Sequence, residues 1–313
     1  VALSPIEIKS NLFICYDYNM KTLKEVIYDV DKQKIAIGHF NISNIEALWA
    51  IFRTAKDLST LSGVEVPVII GVSEGERDFI GVRQARALVS SLRDEFNYPV
   101  WLSADHTYSL ERAKEAIDAG YDMIVFDRAE LPLEENIAET KKCVEYARSV
   151  NPNIVVEGEL GYIGKSSKML DTIPEGAALS EETITKVEDA KRLVTETGID
   201  LFSPAVGNLH GMLKNVPNPK LFTGRIAEIR QATGVPLVLH GGSGITDADF
   251  VEAIQAGISI IHINTELRLA YRNALREALQ TEPDEVAPYQ ILKSAVQAMA
   301  DVTKKRLQLF AQL

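Results

Sequence analysis

Eight short runs of aliphatic and β-branched residues recur along the chain, each closed by a polar residue or a glycine. They are IAIGHF (35–40), VPVIIGVS (66–73), PVWLSAD (99–105), DMIVFD (122–127), NIVVEGEL (153–160), DLFSPAVG (200–207), VPLVLHGG (235–242) and ISIIHIN (258–264). Near-continuous apolar strands are buried on both faces, which requires a parallel sheet with covering helices. The intervening segments, such as GVRQARALVSSLRDEF and LEENIAETKKCVEYARSV, carry helical patterns, and several end in Ala-Gly or Thr-Gly, as helix C-termini do. Eight strand–helix units predict a closed (β/α)8 barrel, with a doubly wound open sheet as the alternative. PYQILKSAVQAMADVTKKRLQLF adds helical structure at the C-terminus. No Gly-, Pro- or Ser-rich linker interrupts the pattern, so residues 1–313 read as one domain.

Composition narrows the partners. The chain has 313 residues, 46% hydrophobic, which is ample for a large core. Its net charge is −11 with no long basic run, which argues against nucleic acid or an anionic membrane as the main partner. An anionic ligand would need a local site. No secretion-type apolar core and no membrane-spanning run are visible, and Cys15 and Cys143 lie in no ligand-type spacing. A cytoplasmic location is the expectation.

The chain has five histidines, His39, His106, His210, His240 and His262, all at or just after an expected strand end. In a barrel those ends form the mouth that carries the chemistry. His39 sits inside an apolar run and reads best as packed. His106 (ADHT), His210 (GNLHGML) and His240 (LHGGSG) have polar, flexible surroundings. Three imidazoles on three loops can hold Zn²⁺ and leave a fourth position open for substrate. Glu157 and Glu159 share a strand face; buried there, they need partners, and one could orient a histidine or ligate metal. HGGSG (240–244) and NTE (264–266) follow the last two strands, where barrels often hold phosphate on backbone N–H groups, with Ser243 and Thr265 adding hydroxyls. Asp105 beside His106 reads either as a cap for the following helix or as a base beside a ligand.

As a set, SADHT, AVGNLHGMLK, VLHGGSGI, NTELRLA and the ending KKRLQLF resemble the class II, metal-dependent ketose-bisphosphate aldolases, which include fructose- and tagatose-bisphosphate aldolases. The likeness runs from about residue 38 to the C-terminus. It implies a (β/α)8 barrel and one Zn²⁺ per chain on His106, His210 and His240; of the carboxylate pair, Glu159 is the further candidate ligand. It implies that Asp105 moves the proton of the substrate hydroxyl. It assigns the phosphate of dihydroxyacetone phosphate to Gly211, Gly241, Ser243, Asn264 and Thr265, with Lys214 nearby, and matches Asn41 and Ser73 to smaller polar positions. It also implies a homo-oligomer, dimer or tetramer, and in some members a monovalent cation beside the phosphate.

Four departures stand out. Ile260-Ile261-His262 replaces the usual Lys-x-Asn, which makes His262 a candidate substrate contact. Ser166 and Ser167 stand where a loop acid is expected. Arg128-Ala129 replaces a Gly-Ser pair after the fourth strand, and His39 replaces a small residue. The expected activity is a zinc-dependent aldolase acting on a phosphorylated ketose. A metal-dependent isomerase or epimerase, or a non-catalytic sugar-phosphate binder, are the alternatives. The segment 161–182 is expected to act as a lid.

Overall fold

The computed structural model describes residues 21–164, 168–177, 179–181 and 183–313. The elements are α1 (Leu23–Gln33), β1 (Ile37–Asn41), α2 (Ile45–Ser62), β2 (Val68–Val72), α3 (Glu74–Ile80), α4 (Val82–Phe96), β3 (Val100–Thr107), α5 (Leu110–Asp118), β4 (Met123–Phe126), α6 (Leu133–Val150) and β5 (Val155–Leu160). The short β6 (Met169–Leu170) follows, then α7 (Val187–Thr197), β7 (Leu201–Pro204), β8 (Met212–Leu213), α8 (Thr223–Thr233), β9 (Leu237–Leu239), α9 (Asp247–Ala256), β10 (Ile258–Ile263), α10 (Thr265–Thr281), α11 (Pro288–Ile291) and α12 (Lys293–Phe310).

Strands β1-β10-β9-β7-β5-β4-β3-β2 close into a barrel. The open-sheet alternative is excluded because β1 pairs in parallel with both β2 and β10. All eight expected strands are present. Outside the barrel, alternate strand residues such as Phe40, Ile70, Leu102, Val156 and Ile261 pack against the helices in one large core. The C-terminal α12 lies against α2 and α10.

The barrel interior has its own core. Helix α1 is capped reciprocally: the Thr22 hydroxyl accepts from Glu25 N–H, and the Glu25 carboxylate accepts from Thr22 N–H. Its buried residues, Leu23, Val26, Ile27 and Val30, recur at helical spacing on one face. They meet Ile37, Ile69, Trp101, Met123, Val155, Leu201, Val238 and Ile260 inside the barrel. Thus α1 plugs the N-terminal end, a role the strand–helix pattern does not announce.

Within the segment 161–182, β6 pairs with β8, which ties the loop after β5 to the loop after β7. Ser166 and Ser167 lie outside the described residues, as does Cys15. Cys143 is buried in α6, where burial pushes its thiol up to about 12. No described helix is long and apolar enough to cross a membrane.

Candidate active site and metal centre

Inward-facing positions alternate along each strand. Two residues beyond the apolar layer stand His39 on β1, Ser103 on β3, Glu157 on β5 and His262 on β10, with His240 just past β9, all buried. Above them the mouth opens into a cleft of about 500 Å³, a size suited to a small ligand.

Of the residues expected at the site, Asn41, Ser73, Asp105, His106, His210, Gly211, His240, Gly241, Ser243, His262, Asn264 and Thr265 line this cleft. Two stand elsewhere. Lys214 directs its ammonium to Asp171, 2.7 Å away at the exposed surface, because the β6–β8 pairing carries the residue after β8 away from the mouth. Glu159 is buried and does not line the cleft; its Oε1 lies 3.1 Å from His106 Nδ1. Its partner is therefore the outer nitrogen of that ring rather than the nitrogen facing His240.

His106, His210 and His240 bring ligand-type atoms within 4.8 Å of one another. His240 Nδ1 is 3.1 Å from His106 Nε2. The remaining nitrogen of each ring meets an oxygen: His106 Nδ1 and Asp127 Oδ2 at 3.0 Å, His210 Nδ1 and Gly164 O at 2.6 Å, His240 Nε2 and Glu157 Oε1 at 2.6 Å. Metal-binding imidazoles are typically oriented in this way, one nitrogen anchored and the other presented. The donor set fits a divalent transition metal, with no cysteine among the three.

The charges agree with a cation here. Burial works against a charge on His106, but Glu159, Asp105 and Asp127 outweigh it and raise its pKa well above the usual value. Burial and the neighbouring rings lower His210 to about 3. Burial first, then the charge of His106, lowers His240 despite the pull of Glu159. Both rings are therefore neutral near pH 7, the form that binds metal.

Asp105 is buried, and Asn41 Nδ2 donates to its Oδ2 at 2.8 Å. Burial alone would raise its pKa, yet the charge of His106 and the contact with His262 hold the carboxyl well below its usual range. His262 Nδ1 lies 3.3 Å from Asp105 Oδ1. The His262 ring stacks on His39 with centroids 3.5 Å apart and planes 7° apart. His262 thus meets Asp105 as well as the cleft, a contact that its expected role as a substrate contact did not include. His39 is packed, as expected, and Gly71 makes its room: a Cβ there would come within 2.1 Å of the His39 ring. Arg128, which stands in place of the usual glycine after the fourth strand, donates to Tyr108 O.

Several cleft residues escaped the sequence reading. Lys168 and Arg268 supply its positive charge. Arg268 stands three residues after Thr265 on α10, the same helix face, and that spacing was available as a signal. Behind the cleft lining, buried Glu76 accepts from Asn41, Ser73 and Arg268 at 2.6 to 2.9 Å. Its signal was the capping-box pattern of Ser73 and Glu76, which the structure bears out.

A closed barrel whose mouth gathers three anchored imidazoles and a carboxylate has the layout of a metal-dependent enzyme. The class-II fructose-bisphosphate aldolase family model matches residues 21–312. The fructose-bisphosphate aldolase of Staphylococcus aureus (strain Mu50 / ATCC 700699) is 35% identical over 292 residues, 92% of this chain and 96% of that protein. That of Geobacillus stearothermophilus is 36% identical over 277 residues, 88% of this chain and 91% of that protein. The solved YdjI aldolase of Escherichia coli K12 superposes with a TM-score of 0.75 at 28% identity, covering 92% of this chain and 96% of that one. The chain belongs to the class II fructose-bisphosphate aldolase family, and with it to the lyases.

Proposed function

We propose that the chain is a zinc-dependent aldolase that cleaves or forms a phosphorylated ketose of the fructose 1,6-bisphosphate type, with dihydroxyacetone phosphate as the donor. The observation that carries this reading is Asp105 beside three imidazoles that each present one nitrogen and anchor the other. His106, His210 and His240 would hold the zinc, which when bound supplies a Lewis acid for the ketone oxygen. Asp105 takes the proton of the aldol hydroxyl in cleavage and returns it in condensation. Asn41 donates to one oxygen of that carboxylate and His262 Nδ1 lies 3.3 Å from the other, so the base is held in place at the cleft. The phosphate would sit on Gly211, Gly241, Ser243, Asn264 and Thr265, at the start of α10. Gly241 suits that place, since a Cβ there would meet Leu209 O at 2.2 Å and force the two loops apart. Lys168 and Arg268 balance the substrate's charge.

The test is to incubate zinc-loaded protein with fructose 1,6-bisphosphate and follow the products by coupled triose-phosphate assay. Two three-carbon phosphates are expected. A six-carbon product in their place would replace this reading with isomerisation or epimerisation. Ligand binding without turnover would leave a sugar-phosphate binder.

A further inference from the structure

Neighbouring residues of a regular strand point to opposite faces. On β3, Trp101 packs inside the barrel while Leu102 and Ala104 pack among the helices. That alternation puts Ser103 and Asp105 inside and would send His106 outward. The chain avoids this at one place. Between Ala104 and Thr107, β3 takes three steps while β4, from Ile124 to Phe126, takes two. His106 sits at φ +35°, a conformation that a non-glycine residue rarely adopts and that is strained for it. The extra residue brings His106 to the same side as Asp105, as bulges do when they re-aim a side chain.

A bulge also displaces carbonyls from their strand partners. At this one the acceptors converge on a single guanidinium. Arg77, on α3, is 1% exposed. It donates to Val72 O at 2.8 Å, to Asp105 O at 3.3 Å and to Thr107 Oγ1 at 3.2 Å. It therefore bridges the ends of β2 and β3 on both sides of His106. Burying a guanidinium is costly unless its geometry is well met, and a plain anchor for α3 could be apolar. We propose that Arg77 is a positioning residue: it holds the turned end of β3 so that Asp105 and His106, adjacent in the chain, face one cleft. The turnover part of this rests on the aldolase reading; the zinc part does not.

The experiment compares Arg77→Met and Arg77→Lys, each in the wild-type and the Asp105→Asn background. Thermal stability, zinc retention against a competing chelator, kcat and KM are measured. Arg77→Met is expected to weaken zinc retention about tenfold and to lower kcat by about tenfold to a hundredfold, with KM within about threefold. Arg77→Lys, which keeps the charge but can span fewer acceptors, is expected between Met and wild type. In the Asp105→Asn background, Arg77→Met is expected to lower the kcat of zinc-loaded protein no further than about twofold, because the group it aims is gone. An equal fall in both backgrounds would overturn the proposal, since it would mark a general loss of structure. So would wild-type zinc retention and kcat in a variant of lowered melting temperature. Should Arg77→Met not fold, Arg77→Lys decides by the same criteria. Should the wild type cleave no ketose phosphate, zinc retention alone decides, and unchanged retention overturns the proposal.

Discussion

Two residues along each strand separate two different proteins. The lower layer of the barrel interior is Ile37, Ile69, Trp101, Val155, Leu201, Val238 and Ile260, sealed by α1. Stepping up by two gives His39, Gly71, Ser103, Glu157, Ser203, His240 and His262, while β4 stays apolar at both levels with Met123 and Val125. The lower layer is apolar and buries its side chains at a gain of roughly 1.5–3 kcal/mol each. In the upper region both nitrogens of His39, Ser103 Oγ, Glu157 Oε2 and His262 Nε2 are buried without a hydrogen-bond partner. Each such atom costs about 1–3 kcal/mol. One layer stabilises the barrel and the next gives part of that stability up to hold reactive groups in fixed places. The division predicts that changes above act on rate and changes below act on melting.

The largest expected effect is chelation. Stripping divalent metal should abolish turnover and zinc should restore it, while the metal-free barrel stays folded by circular dichroism because its lower layer is untouched. Turnover that survives exhaustive chelation would break the comparison at its top. Next is Asp105→Asn, which keeps shape and removes the base: a fall in kcat of about a hundredfold or more, with zinc content unchanged by elemental analysis. Near wild-type turnover would return Asp105 to the role of a helix cap. In the lower layer, Ile27→Ala in α1 should cost about 2–5 kcal/mol in urea unfolding and leave kcat at 25 °C within about twofold. A large kcat effect there would show that the plug and the mouth are coupled.

The smallest effect is on pH dependence. Burial is the main cause that lowers His39 from 6.5 to about 4. The unfolded chain takes up that proton near 6.5 and the folded chain only near 4, so the stability carried by the neutral ring is complete above 6.5 and is lost as the pH falls toward 4. The loss is on the order of 3 kcal/mol. Denaturant titrations at pH 7.5 and 4.5 should show a smaller acid loss for His39→Leu than for wild type. Equal losses would mean that the ring is solvated and outside the costly layer.

Much of this was legible in the sequence. Parallel strands buried on both faces read as apolar runs, and eight of them with helices between leave little choice but closure. The histidines were legible because glycine-rich, polar loops break those runs at one end only. What stayed hidden depends on reach rather than on pattern. A period of two puts Glu157 and Glu159 on one face, but not which of them meets His240 and which meets His106. Lys168 precedes β6 and Lys214 follows β8, and only the β6–β8 pairing decides which one stands in the cleft. The turn at His106 was invisible because no glycine marks it: the positive φ falls on the histidine itself. The α1 plug was invisible for a different reason, since it belongs to no strand–helix repeat.

The pairing of β1 with β10 has a consequence in time as well as in space. His39 and His262 face each other across that seam, 223 positions apart in the sequence. Contacts so distant in sequence carry the slowest loop-closure steps of folding. The other six strands can zip in order from β2 to β9, each beside its predecessor in the barrel. The stacked imidazoles that set Asp105 form only when the first strand meets the last. A chain interrupted before residue 258 on synthesis can therefore hold most of its barrel and none of this pair, so the aim of the base arrives at the end of folding rather than with the fold.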